Sequence, residues 1–123
     1  MSYIDKRRKA FKYAGRGFGS MLKNEAHAKI HFFAAVAVII AGFIFDVTST
    51  EWCLISLCIG GVFMAEAFNT AIEKLADRIS RDHDPLIGSA KDVAAGAVLI
   101  IAIAAAVVGC IVFIPKIIGL WES

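Results

Sequence analysis

Charge is what this sequence withholds. Three stretches of its 123 residues carry none: Phe32 to Phe45, Trp52 to Ala65 and Val93 to Pro115. Uncharged runs of 14, 14 and 23 residues are rare in a water-soluble chain of this size. A soluble class is therefore excluded and an integral membrane protein is expected. Cysteine is scarce as well. Cys53, Cys58 and Cys110 are odd in number and match no metal spacing, so a disulfide framework or thiolate site is not expected. All three fall inside the expected spans and read as inert buried thiols. No glycine-rich phosphate loop, Walker-type lysine motif or kinase catalytic loop is present, which excludes those nucleotide-binding classes. The basic start is not followed by a short apolar core and a small-residue cleavage site, so no secretory signal peptide is expected. No nucleic-acid partner is expected either.

What is present fits one small domain. The chain is 59% apolar with a mean hydropathy of +0.71, and its net charge is only +2. The basic residues are unevenly placed, with eight of the thirteen Lys and Arg before residue 30. Over residues 4 to 22, Ile4, Phe11, Ala14, Phe18, Met21 and Leu22 share one helical face, and Lys9, Lys12, Arg16 and Lys23 lie opposite. This predicts an amphipathic helix lying on an anionic membrane surface. Its glycines, Gly15, Gly17 and Gly19, weaken its second half.

The polar stretch Asn24 to His31 leads into a first span over about 28–45. Asp46 to Glu51 forms a turn, with Thr50 as the expected N-cap of the next helix. The second span begins at the interfacial Trp52 and reaches about Ile79, with Gly60 and Gly61 allowing close helix approach. A polar loop ends at Pro85, and a third span over about 89–114 follows, with Pro115 expected to kink or end it. The fold class is thus all-α: a surface helix and three transmembrane helices in a single domain, 1–123. The 46–51 turn has no base, whereas the 74–92 connection has Lys74, Arg78, Arg81 and Lys91. The positive-inside rule then places the N-terminus and the 74–92 connection in the cytoplasm and the C-terminus outside.

The second span ends in carboxylates. Glu66, Asn69, Glu73 and Asp77 fall within roughly 80° of one another on the helix. A carboxylate at the centre of the hydrocarbon costs about 2.5–3.5 kcal/mol even on the lenient insertion scale, so this face needs a cation, a metal ion or a proton. Glu66 and Glu73 are separated by about 10.5 Å along the axis, too far to grip one ion symmetrically. A division of labour fits better. Glu73, nearer water, can share Mg²⁺ with Glu25, and Glu66, one to two turns deeper, can act as general base on a lipid hydroxyl. Asn69 can orient either group, and Lys91 with the basic N-terminal helix can neutralise phosphates. Two plainer readings stand beside this one. Acids at a helix end can simply be solvated, as Asp77, Asp82 and Asp84 are expected to be. A small ion- or proton-translocating oligomer can also use Glu66 as a relay. His27 and His31 are spaced i,i+4, which can bind metal, but without further ligands an interfacial or packing role is favoured.

The run Ala65-Glu66-Ala67-Phe68-Asn69-Thr70-Ala71-Ile72-Glu73, then Asp77, then Ala90-Lys91-Asp92-Val93-Ala94-Ala95-Gly96, closely resembles the prokaryotic diacylglycerol kinase and undecaprenol kinase family. Phe11-Lys12-Tyr13-Ala14, Gly17 and Asn24-Glu25 also match, so the resemblance covers about residues 11 to 115. It implies a small homotrimeric lipid kinase of the bacterial cytoplasmic membrane, with active sites shared between subunits. The reaction it implies moves the γ-phosphoryl group of MgATP to a membrane lipid alcohol. It also implies roles by matching position. Glu66 resembles the general base with Asn69 beside it, and Glu25 and Glu73 the metal ligands. Tyr13, Asp77, Lys91 and Asp92 resemble nucleotide-site residues, and Lys6 falls where some members carry a nucleotide-contacting Arg. His83-Asp84-Pro85 departs from the Tyr-His-Pro or Tyr-His-Glu of many members. His31, Pro85 and the run from Asp92 to Val98 are more similar to the undecaprenol branch, which makes undecaprenol the expected acceptor and diacylglycerol the alternative.

Overall fold

A computed structural model describes residues 2–80 and 82–122. Four helices follow one another: α1 (Tyr3–Asn24), α2 (Ala26–Ile44), α3 (Ser49–Ile79) and α4 (Pro85–Glu122). The described residues contain no strand. Helices α2, α3 and α4 are each long and apolar enough to cross a membrane. Arg81, one of the bases used to orient the chain, lies outside the described residues.

Helix α3 is the axis of the bundle, packing most extensively on α4 and also against α2 and α1. Its 31 residues extend for about 46 Å, against a hydrocarbon thickness of about 30 Å. Counted from Trp52, about 20 residues fill that thickness, so Glu66 falls within it while Glu73 and Asp77 lie near or beyond its edge. Length alone thus sorts the acids by depth.

The end of the bundle far from the acids is held by a cluster of Val47, Ile55 and Val112, with Val38, Phe45, Trp52, Ile59, Val108 and Phe113 against it. Phe45 and Phe113 meet edge to face at 6.1 Å. Lys116 Nζ donates to both carboxylate oxygens of Glu51, at 3.1 and 2.9 Å, and ties the end of α4 to the start of α3. Asp46 takes a left-handed backbone conformation, φ 52°, in the tight turn between α2 and α3, a conformation that Asp tolerates better than most residues.

Helix boundaries depart from expectation at three places. The N-cap of α3 is Thr48, not Thr50. Thr48 Oγ1 accepts from Glu51 N and Glu51 Oε1 accepts from Thr48 N, a reciprocal capping box that Thr50 cannot form. Helix α4 begins at Pro85, ahead of the span expected from about residue 89. Proline suits a first helical position, and Asp84 Oδ1 accepts from the N–H groups of Leu86 and Ile87. Pro115 does not end α4, which continues to Glu122. Proline inside a transmembrane helix is tolerated when neighbouring groups satisfy the freed backbone. Cys53 and Cys110, expected to be buried, are exposed on the single chain, and Cys58 is half-buried. All three are free thiols.

Gly42 is buried against the Trp52 ring. A Cβ at that position meets the ring at 2.5, 2.9 and 3.0 Å. The ring also packs on Phe43, with centroids 4.9 Å apart, so a shift of the indole disturbs that contact as well. Gly42→Ala is expected to lose about 1–3 kcal/mol to overpacking. A lowered thermal unfolding midpoint in detergent, restored by adding Trp52→Phe, is the check. An unchanged midpoint means the indole swings clear.

Candidate active site

The packed stripe of α2 runs through Ala28, His31, Ala35, Val38 and Gly42, all buried or half-buried. That of α3 runs through Ile55, Val62, Glu66, Asn69, Thr70, Glu73 and Ala76. The three- and four-residue steps keep each stripe on one face, and where the two meet they bring polar groups into an apolar interior. Glu66 is only 3% exposed. Its Oε2 accepts no hydrogen bond, and neither does Asn69 Oδ1, one helical turn away. His31 Nε2 stands 3.4 Å from Glu66 Oε2. The two atoms are in contact, but no hydrogen bond is formed between them and Oε2 is left without a donor.

Toward the end of α3 the polar groups pair. Asn69 Nδ2 donates to Glu73 Oε1 at 3.4 Å. Lys91 Nζ donates to Asp77 Oδ1 at 2.6 Å, which joins α3 to α4 across the intervening loop. Glu25 occupies the junction of α1 and α2. Its N–H donates to Met21 O, closing α1, but its carboxylate does not cap α2. Tyr13 is 58% exposed, with the Arg16 guanidinium 5.6 Å from its ring centre. Asp92 is exposed at the start of α4. Two pairs of the expected residues are therefore in contact, Asn69 with Glu73 and Asp77 with Lys91. Among the described residues, no group of three or more His, Cys, Asp or Glu is gathered to hold a metal ion.

A cleft of about 230 Å³ begins at His31 and runs between α2, α3 and α4. Ala35, Val38, Ile59, Val62, Phe63 and Ala102 are among its lining residues, and His31 and Cys58 are its only lining side chains with a heteroatom. Phe18 of α1 packs edge to face on Phe63, with centroids 5.5 Å apart. The surface helix is thus docked beside the cleft at the level of the acids.

The family model for prokaryotic diacylglycerol kinase matches residues 12–113. The chain belongs to the prokaryotic diacylglycerol kinase family. It is similar to an undecaprenol kinase of Bacillus subtilis, with 43% identity over 109 residues that cover 89% of each chain. It is also 34% identical to a diacylglycerol kinase of Synechocystis, over 90% of this chain and 64% of that one. A diacylglycerol kinase of Escherichia coli is 32% identical over 84% of each chain. Membership of this kinase family makes the protein a membrane phosphotransferase with a lipid alcohol as acceptor. Tyr13, Glu25, Glu66, Asn69, Glu73, Asp77, Lys91 and Asp92 all lie inside the matched region. The contact that sequence reasoning did not place is His31 on Glu66. The signal for it was the heptad step from Ala28 to Ala35, which puts residue 31 on the packed stripe.

Proposed function

We propose that this kinase transfers the γ-phosphoryl group of ATP, as its magnesium complex, to the hydroxyl of undecaprenol. The observation that carries this reading is Glu66, a buried carboxylate with an unbonded Oε2 that stands 3.4 Å from His31, a lining residue of the apolar cleft. A general base for a lipid hydroxyl has to sit at the lipid edge and keep a lone pair open. In the transfer, the acceptor O–H proton passes to Glu66. The alcohol oxygen bonds to the γ-phosphorus, and the bond to the β-phosphate oxygen breaks to leave ADP.

Glu25 and Glu73 would hold the magnesium ion. Their donor chemistry fits, because Mg²⁺ takes one or two carboxylates and completes its shell with substrate phosphates and water. When bound, the ion neutralises charge on the transferring group. Asn69 orients Glu73 through its amide and presents its open Oδ1 beside Glu66. Lys91, held by Asp77, supplies positive charge to the nucleotide side together with the basic face of α1, while Tyr13 and Asp92 contact the nucleotide there. The positive-inside distribution supports a cytoplasmic site at the inner membrane with the C-terminus outside. The broad apolar surface left exposed on the single chain supports a homotrimer within the bilayer.

The cleft also favours a polyprenol over diacylglycerol. Two ester carbonyls gain from hydrogen-bond donors, and the cleft side chains offer few beyond His31. A polyprenol chain needs none. Purified protein in mixed micelles is offered each alcohol with labelled ATP. A kcat/KM at least about tenfold higher for undecaprenol, worth about 1.4 kcal/mol in the transition state, is expected. A reversed ratio reassigns the acceptor to diacylglycerol. No transfer to either alcohol removes both acceptors.

A further inference from the structure

His31 is a polar residue on an otherwise small and apolar stripe of α2, and it is the described basic side chain within ion-pair distance of Glu66. The lysines that form ion pairs among the described residues are engaged elsewhere, Lys91 with Asp77 and Lys116 with Glu51. A carboxylate rotates broadly about its terminal torsion, so burial alone does not fix its plane. A donor on one oxygen does fix it, and leaves the remaining lone pairs for an incoming hydroxyl.

We infer that His31 is a positioning residue for this site: its Nε2–H holds Oε2 of Glu66 and sets the orientation of the carboxylate toward the acceptor. The inference rests on the reading of Glu66 as base. The 3.4 Å separation suits such a contact before substrate binds, since catalytic hydrogen bonds are often long in the free enzyme and tighten in the complex. His31 lines the cleft whereas Glu66 does not, so the side chain beside the base is also one that an acceptor in the cleft would touch.

The test compares His31→Leu, which removes the donor, with His31→Gln, whose amide nitrogen reaches about as far as the imidazole Nε2. In His31→Leu, kcat is expected to fall about 10- to 100-fold, the range for losing orientation at a reacting group. KM for lipid and ATP should stay close to wild type, and His31→Gln should recover most of kcat. In a Glu66→Gln background, His31→Leu should cause no further loss, because the residue acts through Glu66. With ¹⁵N-labelled histidine, the His31 Nε2 resonance should move on Glu66→Gln. This last measurement needs no substitution at His31 and stands even if the leucine variant fails to fold. Wild-type kcat in His31→Leu overturns the inference. So does a glutamine variant as slow as the leucine one, or a further loss in the Glu66→Gln background. Full activity in Glu66→Gln is a different failure, since it removes the base and leaves the His31 contact without a catalytic role.

Discussion

Glu66→Gln should cut phosphoryl transfer to a small residual rate while the protein still folds and keeps the proposed homotrimer. The substitution keeps the size and shape of the side chain and removes its capacity to take a proton. General-base catalysis contributes about 10²–10⁴-fold, so kcat should fall by at least that range. Folding should not suffer, because a neutral amide costs less than a carboxylate in an apolar interior. The buried site supplies few hydrogen bonds for the carboxylate to lose, with Oε2 already lacking one. Turnover is read with labelled ATP and an extracted lipid alcohol, and assembly by size-exclusion chromatography in detergent. Transfer at a near-wild-type rate means another group takes the proton.

Removing Glu73 should act on the metal requirement. Glu73→Ala takes away one of two proposed oxygen ligands and leaves the Asn69 amide without its acceptor. The Mg²⁺ concentration for half-maximal activity should rise at least about tenfold, comparable with the loss of a group that orients a metal ligand. Glu25→Ala should move it in the same direction. Glu73→Gln retains the Asn69 contact and loses the charge, so it separates orientation from ligation. If Mg²⁺ dependence is unchanged in both alanine variants, the two glutamates do not hold the ion.

Much of the architecture was legible because a bilayer imposes simple rules. Uncharged stretches of spanning length, a basic amphipathic start and an acidic exit from the second span place four helices and mark one end as polar. Local hydrogen bonding was harder to read. Thr48 and Thr50 are both good N-caps, and only the reciprocal partner three residues on, Glu51, decides between them. Pro85 and Pro115 look alike as helix breakers, yet one opens α4 and the other lies inside it. The acidic face itself was legible from helical spacing. What spacing along α3 cannot supply is the register of α2 against it, and that register brings His31 to Glu66. The pairing of Lys91 with Asp77 depends on the same kind of information, the angle at which α4 returns along α3.

The two ends of this bundle differ in mechanical character. At the Asp46 turn, bulky side chains interlock and the Glu51–Lys116 ion pair clamps helix to helix. At the opposite end polar contacts take a larger share: Lys91–Asp77 joins α3 to α4 and His31 faces Glu66, with Phe18 on Phe63 as the aromatic contact from α1. Local opening free energy follows the density of buried apolar contacts. The helices therefore resemble tongs fastened at one end, whose jaws are expected to part with the least work at the other.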